Sequence, residues 1–216
     1  MKIAIAGGTG TVGQKIVAEA RRRGHDTSVL ARAAGADLIT GVGVDAALEG
    51  ADAVIDAASV GTLSAQAATT FFRTASATLL AAAARAGATH AILLSIVGID
   101  RNPHGYYAGK VAQEEIYRSA SLPWTIVRAT QFHEFAAQVA GQARLGPVQL
   151  APRARVQPIA AAEVAAHLVD LVEDAPRGRA EDIAGPREEE LADMIRAWVQ
   201  HQGRRGPVIP VSLPSA

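Results

Sequence analysis

The feature that most constrains this chain is a cluster of glycines close to its start, Gly7-Gly8-Thr9-Gly10-Thr11-Val12-Gly13. Before it stands a short apolar run, Lys2 to Ala6, of a length that suits a buried strand. After it Val12, Ile16, Val17 and Ala20 recur at steps of three and four, the helical period, and Gly24 ends the run. The glycines at 7, 10 and 13 are spaced G-x-x-G-x-x-G. A tight turn, a close approach of backbone to a ligand, and close packing of helix on strand each ask for a residue without a Cβ. The helix that follows offers unpaired N–H groups and a partial positive charge to an anion. A glycine triplet alone is a weak signal, but between an N-terminal strand and an amphipathic helix it points to a dinucleotide pyrophosphate. No Gly-Lys-Ser/Thr follows, which excludes a Walker loop.

Further strands are expected at Thr27 to Ala31, Ala36 to Thr40, Asp52 to Ala58, Ala91 to Ser95 and Trp124 to Arg128. Helices are expected over Ser64 to Ala86, which is alanine-rich, and Tyr107 to Ser119. This alternation predicts an α/β fold, a Rossmann-type doubly wound parallel sheet that binds ligands at the carboxyl ends of its strands. Past residue 130 the rhythm loosens: extended segments at Val148 to Leu150, Asp182 to Ala184 and Pro207 to Val211, with helices at Ala161 to Glu173 and Glu188 to Gln202. Residues 131–216 are therefore expected to include a small C-terminal lobe packed on one domain spanning 1–216.

With 216 residues, 49% of them hydrophobic, the chain can bury a core. Lys plus Arg and Asp plus Glu both number 21, so the basic excess of a nucleic-acid binder is missing. The absence of cysteine excludes disulfides and thiolate chemistry. Six scattered histidines, His25, His90, His104, His133, His167 and His201, show no metal-ligand spacing, so no metal is expected. No apolar run has the length of a signal-peptide core or a membrane span, and a cytoplasmic location is expected.

Three further positions carry chemistry. Arg32 follows the second strand, where an acid would bind an adenosine ribose hydroxyl and an arginine a 2′-phosphate; with no acid at that strand end, NADP is preferred over NAD. Tyr106 and Lys110, as Tyr-x-x-x-Lys, share a helix face, where an ammonium would favour the phenolate and ready the tyrosine for proton transfer. The adjacent Tyr107 is the alternative inward ring. Ser95, at a strand end, is placed to hold a substrate oxygen. The alternative for the pair, and for Arg32, is an ordinary solvated surface.

Together these residues resemble the short-chain dehydrogenase/reductase superfamily, in its atypical, NmrA-like NAD(P)-binding branch. The resemblance spans nearly the whole chain. It rests on the glycine segment, Val29-Leu30-Ala31-Arg32, Asp52-Ala53-Val54-Ile55-Asp56-Ala57-Ala58-Ser59, Leu94-Ser95-Ile96-Val97-Gly98, Tyr106-Tyr107-Ala108-Gly109-Lys110 and Pro123-Trp124-Thr125-Ile126-Val127-Arg128-Ala129-Thr130-Gln131-Phe132. It implies that Gly7, Gly8, Thr9, Gly10, Thr11, Val12 and Gly13 hold the pyrophosphate and that Arg32 meets the adenosine ribose or its phosphate. It further implies that Ala57, Ala58 and Ser59 line the adenosine and ribose path, and that Ser95, Tyr106 and Lys110 take the catalytic places, Lys110 also holding the ribose. Ala129, Thr130, Gln131 and Phe132, after the sixth strand, are expected beside the nicotinamide, with Phe132, His133 and Phe135 walling a substrate pocket.

Two departures stand out: the third strand and its helix look trimmed, and so does the C-terminal lobe, which runs out at Leu213-Pro214-Ser215-Ala216. Three functions remain open: an oxidoreductase acting on a carbonyl, enone or quinone, a non-catalytic NADP(H) redox sensor, and a sugar-nucleotide epimerase or dehydratase. A small-molecule substrate is the expected partner. Phe71 and Phe72 raise a homodimer through the long helix, with core packing as the alternative.

Overall fold

The computed structural model describes residues 1–212; the last four residues of the expected C-terminal lobe, 213–216, lie outside the described residues. Two compact units emerge, one made of residues 1–129 and 162–182, the other of 130–161 and 183–216.

The first unit is built on a six-stranded parallel sheet in the order β2-β1-β3-β4-β5-β9. Its strands are β1 (Lys2–Ala6), β2 (Asp26–Leu30), β3 (Ala53–Asp56), β4 (His90–Ile96), β5 (Trp124–Ala129) and β9 (Gly178–Arg179). Its helices are α1 (Thr11–Arg22), α2 (Val44–Leu48), α3 (Ala65–Arg85), α4 (Tyr106–Arg118) and α6 (Ala161–Glu173). The middle strands are apolar on both faces, as a sheet covered twice by helices requires. The order reverses between β1 and β3, and such a switch point leaves a crevice at the carboxyl ends. This is the α/β Rossmann-type sheet expected from the alternation.

The expected strand over Ala36 to Thr40 does not form. After β2 the chain makes a single 3₁₀ turn at Arg32–Ala34, closes it at Gly35 with φ +84°, and reaches α2 through further turns. Ala36 and Leu38 are buried in the core beneath, so the apolar signal was loop residues anchoring, not a strand pairing. The sheet gains β9 instead, a two-residue strand on β5 that is too short to leave a periodic signature.

The long helix α3 starts at a Ser64 cap, whose hydroxyl accepts from the Ala67 N–H at 3.3 Å. Phe72 is fully buried within this unit, and Phe71, half-buried, packs against its core. Gly109 of α4 has no room for a Cβ: one built there would lie 2.7 Å from Ala68, which brings α3 and α4 unusually close.

The second unit holds α5 (Glu134–Gln142), β6 (Arg144–Leu145), β7 (Val148–Pro152), β8 (Arg155–Val156), β10 (Glu189–Glu190), α7 (Leu191–His201) and β11 (Val208–Val211). Its core joins Ala136, Ala140, Ala151, Leu191, Ile195 and Val199. Helix α5 and the two-residue strands went unseen in the sequence. The stretch expected to be extended at Asp182 to Ala184 joins no named strand.

Candidate functional site

The glycine turn follows β1 at the switch point and continues the ladder on both sides. Gly7 N–H donates to Leu30 O at 3.1 Å, and Ala57 N–H donates to Ala6 O at 3.0 Å. Gly7 has φ +74°, and a Cβ there would lie 2.5 Å from Ala57 O. A Cβ on Gly13 would fall 2.0 Å from Gly7 O, so the first turn of α1 packs directly on the strand end. Gly10 is different: it is exposed, and its Cβ would meet only Gly7 O, at 3.3 Å. As the N-cap of α1 it supplies no side chain, and no acid stands in the first turn. The leading N–H groups of the helix, which no earlier carbonyl can satisfy, are left facing the crevice without a competing carboxylate. Two glycines thus fix the turn and the third keeps its outer surface open. That is the shape a pyrophosphate needs, so the residues present fit a dinucleotide.

Arg32 is exposed just beyond β2, and among the described residues its guanidinium has neither an ion pair nor a hydrogen bond. Across the switch point Ala57, Ala58 and Ser59 follow β3, with the Ala57 carbonyl pressed against Gly7. Ser59 is exposed, and its Oγ lies 2.9 Å from the Tyr106 hydroxyl at the start of α4. A continuous line therefore runs from the glycine turn through Ala57-Ala58-Ser59 to Tyr106. Tyr106 is half-buried, edge-on to Phe72 at 5.4 Å and to Tyr107 at 6.5 Å.

Lys110 and Ser95 are arranged otherwise than the spacing suggested. Lys110 is 4% exposed, and its ammonium donates to Leu94 O at 2.9 Å and to Gln113 Oε1, with the Phe72 ring 4.8 Å away. Burial lowers its pKa to about 8, with Asp56 and Glu114 pulling it back up. The Tyr106 phenol is raised: burial drives it up, and the Ser59 hydrogen bond opposes this. The expected lowering of the phenol by the lysine is thus not what this arrangement does, because the ammonium is turned to a backbone carbonyl and an amide. Ser95 donates to Glu114 Oε1 at 2.6 Å and is buried, so its proton is committed to α4 and not to the Tyr106 hydroxyl.

The sequence reading missed the polar lattice that holds these groups. Asp56, at the end of β3, accepts from Ala58 N–H at 3.0 Å, Ser76 Oγ at 3.2 Å, Gln113 Nε2 at 2.9 Å and the Tyr117 hydroxyl at 3.1 Å. Beside it Glu114 is clamped by Arg128 through two bonds of 2.8 Å, by Arg118 at 2.5 Å and by Ser95. Burial pushes the Glu114 carboxyl up, but the Arg128 guanidinium and the Ser95 hydroxyl overcome it and hold it below the usual range. Ser95 and Arg128 are directly paired across β4 and β5, which aims both at one residue of α4. Arg128, directly after Trp124-Thr125-Ile126-Val127 in the buried strand β5, was the signal available: a buried guanidinium in a strand needs an acid partner.

In the second unit Thr130 donates from its hydroxyl to Gln157 O at 2.5 Å and from its N–H to Ile183 O at 3.0 Å. Phe132 bridges to Ile159, His133 N–H donates to Ile159 O at 3.2 Å, and Phe135 packs on that unit's core. Gln131 accepts from Ile159 N–H at 2.9 Å. Ala129, the last residue of β5, belongs to the first unit and is buried. Among the described residues no cluster of three or more potential metal ligands occurs, and no helix is long and apolar enough to cross a membrane.

Comparison with known proteins agrees with this geometry. The chain resembles a dTDP-4-dehydrorhamnose reductase ortholog from Clostridium acetobutylicum, with a TM-score of 0.78 and 15% identity over 98% of this chain and 84% of that one. It resembles Thermus thermophilus UDP-glucose 4-epimerase in complex with NAD, with a TM-score of 0.74 and 17% identity over 98% and 86%. It also resembles the NADPH-dependent quinone oxidoreductase of Escherichia coli complexed with NADPH, with a TM-score of 0.73 and 19% identity over 97% and 78%. At such identities the likeness shows the fold. No curated protein matches the chain. A family model described as NAD(P)H-binding matches residues 35–175, more than half of the chain, taking in Ala57 to Ser59, Ser95, Tyr106 and Lys110. The glycine turn lies before that span, so it stands on its own geometry. The chain belongs to the NAD(P)H-binding family and shares the fold of these solved structures.

Proposed function

We propose that the chain is an NADP(H)-dependent oxidoreductase that reduces a carbonyl, enone or quinone. The carrying observation is the line from the glycine turn through Ala57, Ala58 and Ser59 to the Tyr106 hydroxyl, all at the carboxyl edge of one sheet. When bound, the nicotinamide supplies the hydride. Tyr106 gives its proton to the substrate oxygen; a phenol raised by burial stays protonated at neutral pH, the form a donor needs. Gly7 to Gly13 hold the pyrophosphate. Lys110 holds the ribose, and keeps Leu94 and Gln113 as its resting partners. Ser95 acts through Glu114 by fixing α4 on β4. Arg32, unpaired and without an acid beside it at the end of β2, takes the 2′-phosphate that distinguishes NADP from NAD.

The test is NADPH oxidation across a panel of quinones, enones and aldehydes. Tyr106→Phe is expected to cut kcat by about 10²- to 10⁴-fold and to leave the Kd for NADPH unchanged. Full turnover in Tyr106→Phe would remove the tyrosine from the mechanism. One observation favours a second reading, a dinucleotide sensor without turnover: Lys110 is turned away from Tyr106 and does not activate its phenol. A protein that binds NADPH and oxidises it with no member of the panel would support that reading.

A further inference from the structure

Two serines compete for the role of partner to Tyr106. Ser95 is excluded by its surroundings. It is 2% exposed, its proton goes to Glu114 Oε1 at 2.6 Å, and its β5 neighbour is Arg128, bonded to the same carboxylate. A hydroxyl so held is part of the clamp on Glu114.

Ser59 has the opposite character. It is exposed, it sits just past β3, and its Oγ is 2.9 Å from Tyr106 Oη, the one hydrogen bond of that hydroxyl among the described residues. The ring has little freedom, since Phe72 meets it edge-on at 81° and Tyr107 at 65°. Two aromatic contacts therefore set the plane of the ring, and a single polar contact sets the direction of its proton.

We propose that Ser59 is the positioning residue of Tyr106, fixing the phenolic oxygen at the carboxyl edge of the sheet and taking the place expected of Ser95. Either hydroxyl of this pair can be the donor. In the resting pair Tyr106 can donate to Ser59. When the Tyr106 proton passes to the oxygen of a substrate that also receives the hydride given up by the nicotinamide, Ser59 turns its own O–H onto the phenolate and keeps that proton throughout, so of the two hydroxyls only the tyrosine changes charge. The hydrogen bond works against burial, which by itself pushes the phenol up. The inference rests on Tyr106 as proton donor, but the hydrogen bond can be read without turnover.

The experiment is a tyrosinate absorbance titration of the apo protein, each spectrum corrected by that of the matching Tyr106→Phe variant, which leaves Tyr107 and Tyr117 in the background. Ser59→Ala is expected to move the Tyr106 titration upward by roughly one pH unit, Ser59→Thr to restore it, and Ser95→Ala to leave it in place. With a reducible quinone from the panel, Ser59→Ala is expected to lower kcat by roughly tenfold and Ser59→Thr to recover it. Ser59→Ala without effect on the titration, or Ser95→Ala with one, would overturn the assignment. Should Tyr106→Phe retain full turnover, the proton-donor reading fails while the titration still decides whether Ser59 holds the hydroxyl. Ser59 is exposed and caps no element, so its variants are expected to fold.

Discussion

The glycine turn and the inner face of α4 serve the same edge of the sheet by opposite means. The turn works through backbone alone. Gly7 and Gly13 are in near contact, Gly10 is open, and the surface the turn presents consists of N–H groups that need no side chain. The face of α4 works through side chains alone: Lys110, Gln113, Glu114 and Tyr117 are buried and bonded to Asp56, Ser95, Leu94 and Arg128. The first is rigid because nothing else fits. The second is rigid because every polar group it buries has been given a partner. A site of the first kind fails sterically, and one of the second kind fails electrostatically, through whichever partner is left behind.

The largest effect should come from the steric side. Gly13→Ala places a Cβ 2.0 Å from a backbone carbonyl, and only movement of α1 or β1 relieves it. A loss of about 3–5 kcal/mol is expected, a drop in Tm of roughly 10 °C or more. Gly10→Ala meets one atom at 3.3 Å and is expected to keep its Tm. Equal Tm values for the two would mean that the turn is not packed as described.

On the electrostatic side, Glu114→Ala leaves Arg128 buried with only Asp100, whose carboxylate stands in solvent. A cost of about 3–5 kcal/mol is expected by urea unfolding. The double variant Glu114→Leu with Arg128→Met is expected to lose less than the two single losses combined, since it strands neither charge. Strict additivity would show that the pair is not coupled.

The smallest effect, and the sharpest contrast, is in pH. Lys110 has a folded pKa of about 8 against an ordinary value of 10.5. Between those values the unfolded chain binds more protons, so stability from this group rises with pH through that window. About 2–3 kcal/mol of rise is expected between pH 8 and pH 10 at the tenfold-per-unit scale. Tyr106 and Tyr117, both raised, act in the opposite sense only near and above their ordinary pKa of 10.0. Lys110→Met is expected to flatten the rise, while Gly10→Ala keeps it. A rise that persists in Lys110→Met would assign it elsewhere.

This contrast also explains what could be read in the chain. The turn was legible because glycine announces itself: three missing side chains between an apolar strand and an amphipathic helix leave few alternatives. The strands β1, β3, β4 and β5 were legible for a similar reason, as apolar runs of the right length. The inner face of α4 was not. Lys110, Gln113, Glu114 and Tyr117 recur at helical spacing, and in sequence such a polar stripe reads as the wet side of the helix. The tertiary structure inverts it, because Asp56, Ser95 and Arg128 on three different strands arrive beneath the helix to satisfy it. Those pairings join residues far apart in the chain and leave no local periodicity. Arg128 was the one clue. The resemblance implies only that Ser59 lines the ribose path, and nothing in its sequence neighbours shows that it reaches Tyr106. The two-residue strands of the second unit are illegible for a plainer reason, being shorter than any pattern that could reveal them, while the loop after β2 mimics a strand because Ala36 and Leu38 are buried in the core.

The central claim is that the open face of the glycine turn, with Arg32 beside it, holds a nicotinamide dinucleotide. The most direct measurement is thermal unfolding of the wild-type protein and Arg32→Ala with NADPH, NADP⁺, NADH, NAD⁺ and no ligand. At about a hundred times Kd, a cofactor is expected to add roughly 2.7 kcal/mol to folding stability. This gain is expected for the phosphorylated cofactors in the wild type, shrinking toward the NADH level in Arg32→Ala. An equal gain from NADH and NADPH would take Arg32 out of the site, and no gain from any of the four would contradict the claim itself.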